Sequence, residues 1–113
     1  MADVQVEAGF TRLAHGYLEA IVRADLTGRD IRILLAVARN TWGRHGSPKY
    51  WPLGLTYLAN ATGIDRRNVG KIITRLIDRN MITEGAPKQG AVPRELGIQK
   101  NPDTWVGAPT ATT

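Results

Sequence analysis

One stretch constrains the chain more than any other: Val69, Ile72, Ile73, Leu76 and Ile77 fall at i, i+3, i+4, i+7 and i+8. That spacing puts a single apolar face on a helix predicted from Arg66 to about Asn80. Asp65, directly before it, suits the N-cap, where a short polar side chain accepts from the unpaired N–H groups of the first turn. Upstream, Thr56 is predicted to cap a short helix from Tyr57 to about Thr62, with Leu58 and Ala59 turned inward. Gly63 can take the left-handed conformation that ends this helix, and Ile64 supplies an apolar plug for the turn. Two helices joined by a tight glycine turn, the second burying one face and showing the other, follow helix-turn-helix grammar.

The flanking sequence completes a small domain. Leu13, Tyr17, Ala20 and Ile21 have helical spacing within a helix predicted from Leu13 to Ala24, and Leu18 and Val22 widen the stripe. Thr27 is predicted to cap a second helix, with Asp30 three residues on as a near variant of the capping box. Residues Ile31 to Ala38 are apolar on most sides, and Arg29, Arg32 and Arg39 keep one narrow stripe polar. This is the pattern of a central, mostly buried helix, ending near Trp42-Gly43. A turn-rich loop follows, then Lys49-Tyr50-Trp51 as a short strand stopped by Pro52. Met81-Ile82-Thr83 and Arg94 to Ile98 are predicted strands of a hairpin with a long Gly- and Pro-rich tip. The predicted fold is mainly α with a small β-hairpin, a winged helix-turn-helix in a single domain. Residues 1–10 are expected to be a flexible arm, 11–100 the domain, and 101–113 a tail or linker.

Composition removes several function classes. A chain of 113 residues with 42% hydrophobic content fits one globular domain with its own core. It has no Cys and two His, so neither a disulfide framework nor a metal site is expected, and no cofactor is implied. Ser47 lies two residues from His45 in a loop, without the orienting framework that nucleophilic catalysis requires. There is no glycine loop ending in Gly-Lys-Ser/Thr, and an enzyme is not expected. The N-terminus lacks a secretion signal, and no apolar run approaches the ~18 residues of a membrane span. A cytoplasmic setting without membrane contact is the expectation.

The net charge of +5 is unevenly placed. Residues 1–40 balance five basic against five acidic side chains, whereas residues 41–100 carry ten basic and four acidic. Such a split points to one face meeting a polyanion. On the predicted helix, Arg67, Lys71, Thr74 and Asp78 lie opposite the apolar stripe, flanked by Asn68 and Arg75. Arg66 lies nearer the core edge but in the first turn, within reach of a phosphate. Arg can read guanine and Asn adenine in the major groove, and a helix N-terminus favours phosphate. Gly70 is unfavourable in a helix interior by about 1 kcal/mol, which close approach to DNA or to a neighbouring helix would explain. Lys88 and Arg94 are candidate hairpin contacts to the DNA backbone or minor groove, and Arg44 and Lys49 are weaker candidates, since loop charges are usually just solvated. Trp42, Trp51 and Trp105 can stack on bases or fill a core, and core filling is expected of the first two.

Beyond these residue-level readings, the stretches Arg23-Ala24-Asp25-Leu26-Thr27-Gly28-Arg29 and Leu34-Leu35-Ala36-Val37-Ala38-Arg39 are distinctive. With Thr62-Gly63-Ile64, Arg66-Arg67 and Leu96-Gly97-Ile98-Gln99-Lys100-Asn101, they resemble the N-terminal, origin-binding domain of the lambda-type phage replication protein O family. The resemblance covers roughly residues 9–105 and departs from the family at Lys49 to Gly54. It implies a winged helix that binds repeated double-stranded sites at a phage replication origin as a homodimer and contributes to initiation. It maps recognition-helix positions onto Arg66, Arg67, Asn68, Lys71 and Arg75. It also implies replication-machinery partners, engaged through a C-terminal region that these residues do not include. A winged-helix transcriptional regulator and a protein-interaction or inhibitory module are the alternatives, since fold alone does not fix function.

Overall fold

The cap predicted around Thr27 forms in the computed structural model, which describes residues 4–107. The Asp30 N–H donates to Thr27 Oγ1 (3.1 Å), and the Thr27 N–H donates to the Asp30 carboxylate (3.0 Å). This reciprocal cap satisfies two backbone donors that a helix start leaves open. It begins α2 (Gly28–Thr41), whose Ile33, Leu34, Val37 and Ala38 are buried at the centre of the core. Ahead of it lies α1 (His15–Arg23), shorter than the predicted span. Its contact face is narrow: Tyr17, Ala20 and Ile21 are buried, while Leu18 and Val22 stand 41% and 84% exposed instead of widening the stripe.

The two helices predicted around Gly63 follow as α3 (Leu55–Thr62) and α4 (Arg66–Asp78). Thr56 is not the cap of α3. The first helical bond runs from the Leu58 N–H to the Gly54 carbonyl, which makes Gly54 the N-cap and puts Thr56 in the first turn. Gly63 closes α3 in the left-handed region (φ 74°), and Ile64 is buried beneath the turn. Asp65 holds the N-cap position of α4 without a side-chain hydrogen bond; the Val69 N–H bonds to its carbonyl instead. Val69, Ile72, Ile73 and Leu76 are buried, and Ile77 is half-buried. The helix stops short of its predicted end because Asn80 turns to φ 56°, where its side-chain amide donates to the Thr104 carbonyl and hydroxyl oxygens.

Three antiparallel strands, β1 (Trp51–Pro52), β2 (Ile82–Glu84) and β3 (Glu95–Ile98), are ordered β1-β3-β2. Trp51 sits opposite Leu96, and Ile82 opposite Ile98. Pro52, predicted to stop the strand, lies inside it, since an edge strand tolerates a missing N–H. The hairpin beyond β2 and β3 is not a loose loop. Gln89 and Val92 exchange two backbone bonds (3.0 and 2.9 Å) around Gly90-Ala91, so its arms extend almost to the tip.

The described residues thus form a single, mainly α domain of four helices and a small sheet. Its packed part runs past the expected boundary at residue 100. A turn of 3-10 helix at Pro102–Thr104 brings Trp105 into the core, where its indole N–H donates to the Gln99 carbonyl (3.2 Å). Trp105 and Trp42 both meet the Tyr17 ring edge-on, at 5.9 and 5.0 Å between centroids. Burial pushes the Tyr17 phenol above its usual range, so it stays neutral. The ends of the expected arm and tail, residues 1–3 and 108–113, lie outside the described residues.

Candidate nucleic-acid interface

Burying one face of α4 forces its polar residues outward, and they form one wall of an open groove of ≈ 1380 Å³. The hairpin contributes Lys88, Pro93 and Arg94 to the lining, which Arg44, Trp51 and Tyr57 share. The groove is lined by Arg44, Arg66, Arg67, Lys71, Arg75, Lys88 and Arg94, against Asp78 as the single carboxylate. Two of these cations are neutralised locally. Arg75 is paired with the buried carboxylate of Asp30, and Arg94 with Glu84 at 3.2 Å. Among the described residues, Arg44, Arg66, Arg67, Lys71 and Lys88 have no carboxylate within ion-pair distance. A concave surface with this charge focuses positive potential and attracts a polyanion.

The residues singled out from sequence are distributed as follows. Arg66, Arg67, Lys71 and Thr74 are exposed on α4 and line the groove, and the Thr74 hydroxyl donates to the Gly70 carbonyl (3.0 Å). Lys88 is exposed on a hairpin arm and also lines it. Arg94 reaches the groove from the start of β3 while bonded to Glu84. Arg75 borders the groove, but its guanidinium is drawn to Asp30 at the start of α2. Asn68 is half-buried and is not part of the groove lining. A Cβ built on Gly70 would meet only Leu55 Cδ1, at an ordinary 3.8 Å, so packing against α3 does not explain the glycine.

Of four further groove residues, Asn40 and Tyr57 were not singled out from sequence, and Arg44 and Trp51 were given lesser roles. Asn40 is 2% exposed at the end of α2 and bonds the Tyr57 hydroxyl (3.1 Å) and the Ala36 carbonyl (2.8 Å). Arg44, a weak candidate from sequence, donates from Nε to the Asn40 carbonyl (3.0 Å) and from Nη2 to Asn40 Oδ1 (2.9 Å). Its guanidinium lies 4.0 Å from the centre of the Trp51 ring. Trp51, expected in the core, is half-buried and faces this groove. No spacing rule joins these positions; only the i, i+4 relation of Asn40 and Arg44 is visible in sequence. Among the described residues, no group of three or more His, Cys, Asp or Glu could hold a metal, and no helix is long and apolar enough to cross a membrane.

A mainly α domain presenting a basic groove beside an exposed helix defines a class of candidate nucleic-acid-facing modules. The chain belongs to the bacteriophage replication protein O family, whose model matches residues 2–105. It is also similar to the "DNA replication protein gp18" of Salmonella phage P22, with 29% identity over 101 residues, 89% of this chain and 34% of that protein. The chain therefore spans about a third of that relative's length. No solved structure matches it.

Proposed function

We propose that this domain is a winged helix that binds double-stranded DNA sequence-specifically at repeated sites of a phage replication origin, and so contributes to initiation. The observation that carries this reading is the groove itself, in which five cations without acidic partners line the space between α4 and the hairpin. The order of α2, β1, α3, α4 and the β2–β3 hairpin is the order of a winged helix. Membership of a phage replication family favours an origin over a promoter as the target. In this reading the N-terminal half of α4 enters the major groove, Arg67 reads a base edge, and Arg66 and Lys71 hold phosphates. Lys88 and Arg94 on the hairpin meet the neighbouring backbone or minor groove. A dimer on paired repeats belongs to the same proposal, and the stoichiometry of the complex tests it.

The decisive experiment titrates the protein with repeat-containing duplex from its own genome and with random duplex, at several salt concentrations. A preference for the repeats of about 10³ or more is expected of a specific reader. Arg67→Ala should lose about 1–3 kcal/mol on the repeats and narrow that preference, whereas Lys88→Ala should weaken both duplexes alike. Uniform loss on Arg67→Ala would remove its assignment as a base reader. Repeats clustered at promoters instead of within a replication gene would favour a transcriptional regulator. No binding to either duplex at low salt would redirect the groove to an acidic protein partner.

A further inference from the structure

We propose that Arg44, held over Trp51 by Asn40, is a phosphate clamp in the groove, gripping the DNA strand that crosses between α4 and the hairpin. The inference rests on the DNA-binding reading above and assigns a contact that the helix-turn-helix pattern does not contain.

Three features of the site support it. The first is fixation. A free Arg side chain loses substantial rotamer entropy when it binds, and Arg44 has already surrendered that freedom to Asn40 and the Trp51 ring. Those bonds use Nε–H and one Nη2–H, leaving the second Nη2–H and both Nη1–H groups to donate. The indole lies against the guanidinium at 4.0 Å, and the fork's remaining N–H groups are what grip phosphate oxygens.

The second feature is the buried residue that does the holding. Asn40 is nearly inaccessible, and a buried amide is unfavourable unless its hydrogen bonds are made. Its amide nitrogen is satisfied by Ala36 and Tyr57, and its oxygen faces Arg44. The arrangement orients a cation that has no carboxylate of its own.

The third feature is position. Arg44 shares the groove with Arg66, Arg67, Lys71 and Lys88, all of its own sign. A half-buried cation held among cations is stabilised when an anion arrives. With α4 in the major groove and the hairpin on the adjacent backbone, the strand between them passes the residues that line the groove, Arg44 among them. Phosphates are the anions it brings there.

The test uses the full 113-residue chain, with binding to repeat and random duplexes measured across a salt series. Arg44→Gln keeps a flat amide beside Asn40 and Trp51 but removes the charge, and Arg44→Ala removes both. Each variant should bind both duplexes roughly tenfold more weakly. The log–log salt slope should fall by about 0.9, the loss of one phosphate contact. Arg44→Lys, which restores a charge without the fork, should recover the slope and only part of the affinity. Thermal unfolding of each variant separates binding from folding. Wild-type affinity and slope in Arg44→Gln would overturn the clamp and leave Arg44 as a cap on the end of α2. A loss confined to the repeats with an unchanged slope would overturn it in favour of base reading. Wild-type protein that ignores both duplexes would fell the DNA reading, and the clamp with it.

Discussion

A carboxylate as deeply buried as that of Asp30, 1% exposed, requires donors around it. The Thr27 N–H is one and the Arg75 guanidinium is the other, so a single side chain both caps α2 and fastens α4 to it. Arg75 therefore differs from Arg67 although both stand on the polar side of one helix. Removing Arg75 leaves a buried acceptor short of a donor and a charge unpaired. Arg75→Ala should destabilise the fold by about 1–3 kcal/mol in urea denaturation, while leaving discrimination between repeat and random DNA unchanged. A variant that unfolds like the wild type but loses that discrimination would return Arg75 to the residues proposed to read bases. Sequence reasoning grouped Arg75 with the DNA contacts because helical spacing reports the face a residue occupies, not the partner it finds. Asp30 is 45 positions away, a separation that no local pattern spans. The same limit hid the meeting of Asn40, Arg44, Trp51 and Tyr57, three of which lie outside the recognised helix pair.

At the scale of elements, α4 was legible because its stripe encodes a 3.6-residue period and its start is punctuated by Gly63, Ile64 and Asp65. The start of α3 was not, since Thr56 is the better capping residue in isolation and Gly54 wins through the path of the chain leaving β1. The hairpin arms were under-read because Gly85, Pro87, Gly90 and Pro93 look like loop, yet they sit in or beside a paired ribbon. Gly70 carries an untested role within α4. Space for a methyl group exists beside Leu55, so Gly70→Ala should stabilise the fold by about 1 kcal/mol, measured as a higher unfolding midpoint. If α4 lies against DNA at this position, the same substitution should weaken binding. A stabilised variant with undiminished affinity would show that duplex does not approach the helix backbone there.

For the molecule as a whole, the least expected component is the segment after residue 100, whose Pro, Gly and Thr content suggested a tail. Composition missed it because one aromatic ring does the anchoring. Trp105 is buried with its ring edge-on to Tyr17, and the Val106 N–H bonds to the Arg79 carbonyl (2.8 Å). Trp105→Ala should destabilise the domain by about 3–5 kcal/mol, and a chain cut after Lys100 should show a comparable loss in thermal unfolding. Equal stability with and without the segment would make its packing incidental. The edge strand β1 has a consequence of its own. The Leu53 N–H turns inward to the Arg94 carbonyl (3.1 Å), so the preceding position faces outward, and Pro52 occupies it with no hydrogen to offer. An open strand edge can recruit the edge of a second copy, and along β1 the outward-facing position offers no hydrogen with which to do so.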